Sequence, residues 1–162
     1  MICILDTNII RKLWFHLPKK GMLFEKIWDT LEKCIQCADI ISVDEVFNEL
    51  SGQFSPDADA HKWITDHKFM FQNPDNEESL IMQQIFQNTK FQESIHMKNI
   101  LGNRPSADAY LVAKAKKLGA TIVTTETYKE NSAQLPNLCE AFDVRTLSYD
   151  DFMEYIQSKV EI

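Results

Sequence analysis

The sequence predicts an α/β fold built on a central parallel sheet. Short apolar segments typical of buried strands alternate along the chain with longer segments in which apolar residues recur with the period of a helix. Such alternation favours a parallel sheet covered by helices on both faces. The chain has 162 residues, 44% of them hydrophobic, and we therefore expect a single globular domain over residues 1–162.

The elements of the first half follow from hydrophobic periodicity and from the residues that begin and end helices. Short apolar runs predict strands. A Ser, Thr, Asn or Asp just before a periodic segment predicts the N-terminal cap of a helix, and a Gly or Pro after it predicts the end of that helix. In chain order we expect a strand over 2–5, a helix over about 8–15 capped by Thr7 or Asn8, a helix over 22–37, a strand over 40–43, a helix capped from Ser42 to Asp44 and ended by Gly52, and a short helix over 58–67.

The same signals extend through the second half. The aromatic run from Phe69 to Phe71 predicts an edge strand. A long helix is expected from Asn76 to Met97, and its inward residues are expected to be Leu80, Ile81, Ile85, Phe86 and Phe91. We then expect a loop over 99–105, a helix from Ala107 to Leu118 capped by Ser106 and closed by Gly119, a strand over 120–124, a helical turn near 137–141, a strand over 144–147 and a final helix capped by Ser148.

Four acidic residues fall where this sheet would bring them to one edge. Asp6 ends the first strand and Glu126 follows strand 120–124. Glu49 lies one to two turns into the helix that leaves the second strand, and Asp108 lies in the first turn of the helix before strand 120–124. Ligands of such sheets bind beyond the carboxyl ends of the strands. Each acid alone is explained by a turn, a cap or a solvated helix position. Together they would repel one another unless a cation lay between them, which favours a Mg²⁺ or Mn²⁺ site.

The cysteines and the overall charge argue against two classes of function, a zinc-binding protein and a general nucleic-acid binder. Cys3 and Cys139 are expected to pack as small hydrophobes, and the pair Cys34 and Cys37 has no matching second pair that would complete a zinc site. The net charge of −7 counts against a general nucleic-acid binder, although bound cations would reverse the local sign at an acidic site. With no secretory signal and no apolar run long enough to span a bilayer, we expect a cytoplasmic protein.

The segments ILDTNII, VFNELSG and SADAYLVAKAKKLGATIVTTE, in this order, resemble the PIN domain family, and LPNLCEAFDV resembles one of its PIN-like branches. The resemblance implies a three-layer α/β/α sandwich and phosphodiester hydrolysis of RNA with Mg²⁺ or Mn²⁺. By motif, the metal-coordinating acids of the family match Asp6, Glu49, Asp108 and Glu126 of this chain. Many members have Asp at the last place, where this chain has Glu126 within the sequence TTET.

Several further roles follow from the resemblance or from position. Thr7, Asn8, Thr124 and Thr125 are expected to orient carboxylates or waters. Arg104, just before the helix that bears Asp108, is the best candidate for a contact to the RNA backbone. The basic cluster of Lys114, Lys116 and Lys117 is interpreted as a solvated helix face. Many PIN proteins are toxins held inactive by a small antitoxin, so the resemblance implies an antitoxin partner for this chain. It also implies a homodimer.

Three alternatives accompany the nuclease hypothesis. A PIN-like protein can act mainly as a regulatory module with weak or absent hydrolysis. Its motivation here is the negative charge and the altered last motif. A phosphatase with Asp6 as nucleophile would need a second Asp two residues later, where this chain has Asn8. Dinucleotide or P-loop binding is disfavoured, because the chain has neither glycine-rich signature. For the nuclease we expect in-line attack by a metal-activated hydroxide, with no covalent intermediate.

Overall fold

A computed structural model describes residues 1–89, 91–92, 106–132 and 134–161. Its strands and helices alternate as the sequence predicts. In chain order they are β1 (Cys3–Leu5), α1 (Thr7–His16), α2 (Met22–Gln36), β2 (Ile40–Val43), α3 (Asp44–Gln53), α4 (Asp59–Asp66), a 3₁₀ turn (Lys68–Met70), β3 (Phe71–Gln72), α5 (Asn76–Gln87), α6 (Ser106–Leu118), β4 (Thr121–Val123), α7 (Leu135–Ala141), β5 (Arg145–Leu147) and α8 (Tyr149–Ser158).

The strands form one five-stranded parallel sheet in the order β3-β2-β1-β4-β5. Every neighbouring pair is parallel, and β1 lies in the centre, with Ile4 opposite both Ile41 and Ile122. Helices flank the sheet, with α2 packed on α8 in one group and α6 packed on both α3 and α5 in another. The predicted parallel α/β fold is therefore confirmed.

The core is centred on β1 and the strands beside it. Cys3, Ile4 and Leu5 are at most 1% exposed, and Ile122 of β4 is fully buried. Such continuous apolar strands are typical of a parallel sheet that is covered on both faces. Cys3 and Cys139 are both free thiols with no exposed surface, as the expectation of small packed hydrophobes requires.

Two helix starts differ from the prediction. The cap of α1 is Asp6, not Thr7 or Asn8, because Asp6 Oδ1 accepts a hydrogen bond from the backbone N–H of Thr7 at 2.7 Å. The start of α3 has no side-chain cap, and the Ser42 hydroxyl instead donates across the sheet to the carbonyl of Leu5 at 2.7 Å. The expected end of α3 at Gly52 was also wrong by one residue, since that helix continues to Gln53.

The long helix predicted from Asn76 to Met97 ends at Gln87 in the described part of the chain. Residues 90 and 93–105 lie outside the described residues, and the expected loop 99–105 with Arg104 falls there. Leu80 and Phe86 were predicted to face inward, but 61% of Leu80 and 44% of Phe86 is exposed. Ile85 and Phe91 are buried as predicted, and the inward face of α5 also includes Glu78 and Met82, which are buried at helical spacing with Ile85.

That inward face explains a second correction, in the lysine cluster of α6. Lys114 is buried, and its ammonium lies 2.8 Å from the carboxylate of Glu78 and donates to the carbonyl of Asn73 at 3.2 Å. Lys117 pairs with Asp75, the N-cap of α5. Only Lys116 of the three is exposed without an ion pair among the described residues. The cluster therefore joins α6 to the start of α5, and the solvated-face interpretation was wrong for Lys114.

Several expected features are confirmed. The edge strand β3 forms, although the residues before it make a 3₁₀ turn. Gly119 closes α6 with a positive φ of 63°, a conformation that glycine adopts without steric cost. The Ser148 hydroxyl caps α8 by accepting from the N–H of Asp151 at 3.1 Å. None of the described helices combines the length and apolar character that crossing a bilayer requires.

Candidate acidic site at the carboxyl ends of β1 and β4

The register of β1 and β4 places Asp6 beside Thr124. Leu5 lies opposite Val123, and the N–H of Asp6 donates to the carbonyl of Val123 at 3.1 Å. Thr124 directly follows β4, and its hydroxyl donates a hydrogen bond to Oδ2 of Asp6 at 3.2 Å. Asp6 is only 7% exposed. A buried carboxylate therefore lies at the carboxyl end of the central strand, where ligands of parallel sheets bind.

The electrostatic surroundings of Asp6 are strongly unfavourable for its charge. Burial is the main reason that its pKa rises to about 7, and the negative charges of Asp108 and Glu126 raise that pKa further. Hydrogen bonds from the Thr7 N–H and the Thr124 hydroxyl oppose the rise. Because the charges of Asp108 and Glu126 both act on Asp6, the three acids lie in one electrostatic neighbourhood.

Glu126 is held by two hydrogen bonds at the end of this neighbourhood. Its N–H donates to the Thr124 hydroxyl oxygen at 3.1 Å, and its Oε2 accepts from the N–H of Leu135 at 2.8 Å. The second bond ties the segment after β4 to the first residue of α7. One carboxylate oxygen of Glu126 is thereby engaged by the protein.

Glu49 reaches the site through Thr7. The Thr7 hydroxyl donates to Oε2 of Glu49 at 2.5 Å, which links α3 to the first residue of α1. Thr7 is buried and directly follows Asp6 in the chain. Glu49 therefore contacts the residue that directly follows Asp6.

Asp108 lies half-buried in the first turn of α6, where the helix dipole favours an ionised carboxylate. Its charge acts on Cys139 as well as on Asp6. Burial raises the pKa of Cys139 to about 12, and the charges of Asp108, Asp6 and Glu126 contribute in that order. Cys139 of α7 thus borders the acids, a placement for which the sequence offers no signal, since an apolar context predicts only packing.

Of the four residues expected to orient carboxylates or waters, two are buried and two are exposed. Thr7 and Thr124 are buried and donate to the acids, as an orienting role would require. Asn8 and Thr125 are exposed. Arg104 lies outside the described residues.

The acids around Asp6 offer the oxygen donors that a hard divalent cation requires. Carboxylate oxygens are the ligands that Mg²⁺ and Mn²⁺ prefer, and a cation would relieve the repulsion around Asp6. Within residues 1–89, 91–92, 106–132 and 134–161, however, no three His, Cys, Asp or Glu side chains are gathered closely enough to hold a metal ion. The acids fit a cation in chemistry and charge, while Glu49 and Glu126 each have one oxygen turned to a protein donor.

Comparison with known proteins places the chain in a family. A family model described as "Domain of unknown function (DUF4411)" matches residues 3–160. The chain belongs to this family. No curated protein matches the sequence.

Solved structures show the fold of this DUF4411 member to be PIN-like, as the sequence resemblance predicted. The structure of FitAcB from Neisseria gonorrhoeae is 18% identical with a TM-score of 0.52, covering 91% of this chain and 98% of that chain. VapBC-1 from nontypeable Haemophilus influenzae is 15% identical with a TM-score of 0.51, covering 93% and 99%. VapBC2 from Rickettsia felis, bound to a DNA fragment from their promoter, is 14% identical with a TM-score of 0.50, covering 91% and 98%.

Proposed function

We propose that this protein is a metal-dependent endoribonuclease of the PIN type, in which Asp6, Glu49, Asp108 and Glu126 hold Mg²⁺ or Mn²⁺. The observation that carries the proposal is the buried Asp6 at the carboxyl end of β1, whose pKa is raised to about 7 by burial and by the neighbouring acids. Proteins tolerate such unfavourable charge clusters mainly at functional sites. The PIN-like fold supports the same reaction class by resemblance.

Each residue would have a distinct task. Of the neighbouring acids, Asp108 raises the pKa of Asp6 the most, and these two acids would provide the centre of the cation site. Thr124 would orient Asp6, and Thr7 would orient Glu49. A bound divalent cation would make a water easier to deprotonate and would neutralise charge on the scissile phosphate. Glu126 would also bind the cation. It would do so either with the carboxylate oxygen that is not bonded to Leu135 or after that hydrogen bond is released.

We further propose that the protein is the toxin of a toxin–antitoxin pair. The resemblance to PIN toxins and the similarity in fold to VapBC and FitAcB structures support this proposal. The net charge of −7 and the acidic edge favour a partner segment with a basic side chain. A homodimer is proposed from the resemblance alone.

RNA cleavage with controlled metal content tests the nuclease directly. Purified protein would be incubated with mixed RNA and with single-stranded DNA in Mn²⁺, Mg²⁺ or EDTA, beside the variants Asp6→Asn and Asp108→Asn. We expect RNA cleavage in Mn²⁺ or Mg²⁺ that both variants and EDTA abolish. Cleavage that persists unchanged in EDTA or in both variants would refute the metal-nuclease proposal. Absence of cleavage by the wild-type protein under every condition would favour the alternative, a regulatory module that acts through its partner.

A further inference from the structure

A cavity of about 380 Å³ lies against α7. Its described lining comes from residues that follow α5, from the segment after β4 and from α7. The aromatic and aliphatic part includes Phe91, Tyr128 and Leu138, and the polar part includes Asn88, Ser132 and Glu140. Apolar walls with a few polar groups are typical of small-molecule subsites, and the volume falls in their usual range of roughly 300–1,000 Å³.

Two residues of the cavity lining lie close in the chain to residues of the acidic site. Tyr128 follows Glu126 by two residues, so their Cα atoms lie within about 7 Å of each other. Leu138 precedes Cys139, whose thiol is close enough to Asp6, Asp108 and Glu126 for their charges to raise its pKa. A ligand that extends from the cavity by one nucleotide would therefore approach the acidic site.

The wall that bears Tyr128 is pinned to α7. The N–H of Lys129 donates to Oδ1 of Asn137 at 3.2 Å, and the Asn137 amide donates back to the carbonyl of Lys129 at 2.5 Å. Asn137 also lines the cavity. This two-way clamp fixes the backbone next to Tyr128, whose side chain is nevertheless 56% exposed. An aromatic ring held on a fixed backbone with an open face is suited to stacking.

We propose that this cavity binds one unpaired base of a single-stranded RNA substrate, with the base stacked on Tyr128. The proposal rests on the proposed ribonuclease function and names the recognition element of that site. Stacking on an aromatic ring is the general means by which proteins hold unpaired bases, whose edges are then read by polar groups. Asn88, Ser132 and Glu140 supply amide, hydroxyl and carboxylate groups for such reading. The acidic charge of the chain is compatible with this mode, because a base, unlike a phosphate, is uncharged.

Equilibrium binding separates this proposal from the catalytic one. The protein would carry Asp6→Asn and be kept in EDTA, so that RNA is bound and not cut. The probe is a fluorescently labelled single-stranded RNA heptamer, measured by anisotropy. We expect Tyr128→Ala to weaken binding roughly tenfold, within the range for loss of one base–aromatic stack. Tyr128→Phe should bind as the parent does. Phe69→Ala, at an aromatic residue of similar exposure outside the cavity lining, is the matched control and should have no effect.

Competition identifies the part of the nucleotide that is bound. Nucleoside 5′-monophosphates should displace the labelled RNA, whereas ribose 5-phosphate should not. Unchanged binding by Tyr128→Ala, equal competition by ribose 5-phosphate, or no binding of the heptamer by the parent would each overturn the base subsite. None of these outcomes depends on cleavage. Conversely, a protein that binds through Tyr128 and never cuts RNA would retain the subsite and lose the nuclease proposal.

Discussion

The Thr124 hydroxyl donates a hydrogen bond to Oδ2 of Asp6 and accepts one from the N–H of Glu126, joining residues that lie 118 positions apart in the chain. The hydroxyl thereby connects two of the four acids in the site. Because β1 and β4 are adjacent and parallel, this contact is a direct product of the sheet register.

Replacing Thr124 by Val should impair the site without disrupting the strand, since valine keeps the shape and the β-branched character of threonine. Loss of the hydroxyl would release the Asp6 carboxylate and the Glu126 backbone together. We expect RNA cleavage to fall by roughly 10–100-fold, as for other residues that orient metal ligands. Thr124→Ser should retain most of the activity. Equal activity of Thr124→Val and wild type would show that the hydroxyl has no orienting role.

Neutralising Asp6 should stabilise the metal-free protein. Because the pKa of Asp6 is raised from 3.8 to about 7 in the folded state, the protonated side chain is favoured by folding. The stability associated with it is fully present below pH 3.8 and is lost as the pH rises through about 7. Asp6→Asn, which keeps a good helix cap, should escape this loss and gain about 2–4 kcal/mol at pH 8.

Denaturant unfolding in EDTA at pH 4 and pH 8 measures this gain. The difference between Asp6→Asn and wild type should be small at pH 4 and large at pH 8. Asp29→Asn, on the exposed face of α2, is the control and should show no such pH dependence. A loss of stability in Asp6→Asn at pH 8 would assign Asp6 a structural role instead.

The sequence predicted the parallel sheet well, because buried strands such as Cys3–Leu5 and Thr121–Val123 are apolar throughout and are followed by helix-period segments. What it could not predict depends on contacts between distant segments. The burial of Glu78 and Lys114 rests on the packing of α5 against α6, and no local pattern distinguishes that lysine from a solvated one.

In the candidate site too, the positions of residues at strand ends could be predicted, whereas contacts between distant segments could not. Strand ends placed Asp6 and Glu126 correctly relative to the sheet. The bond of Glu126 to the Leu135 N–H and the proximity of Cys139 to the acids depend on where α7 returns after the segment that follows β4. Periodicity carries no information on such a return.

The buried pair of Lys114 and Glu78 gives a stability prediction. Lys114→Met leaves the Glu78 carboxylate buried without its cation and should destabilise the protein by about 3–5 kcal/mol. Adding Glu78→Gln removes the charge, keeps an oxygen for the N–H of Asp75, and should recover most of the loss. Lys116→Met, at an exposed position of the same helix, should change stability by less than about 0.5 kcal/mol. A double variant as unstable as the single one would contradict this account of the pair.

The thiols should react very unequally. Cys37 is the one exposed cysteine, whereas Cys3, Cys34 and Cys139 are buried and their pKa values are raised, mainly by burial. Since the thiolate is the reactive form, one thiol per chain should react quickly with a disulfide reagent at pH 8, and the others only after unfolding. Cys37→Ser should abolish the fast phase. Rapid labelling of Cys139 in the native protein would contradict its described burial.

Direct measurement of Mn²⁺ binding tests the central claim, that the acids around Asp6 form a divalent-cation site. Titration calorimetry at pH 8 should show Mn²⁺ binding to the wild-type protein and to the Asp29→Asn control. Asp6→Asn and Asp108→Asn should each lose affinity at least tenfold while remaining folded. Equal affinity in the wild type and both site variants, or no binding by the wild type, would contradict the claim.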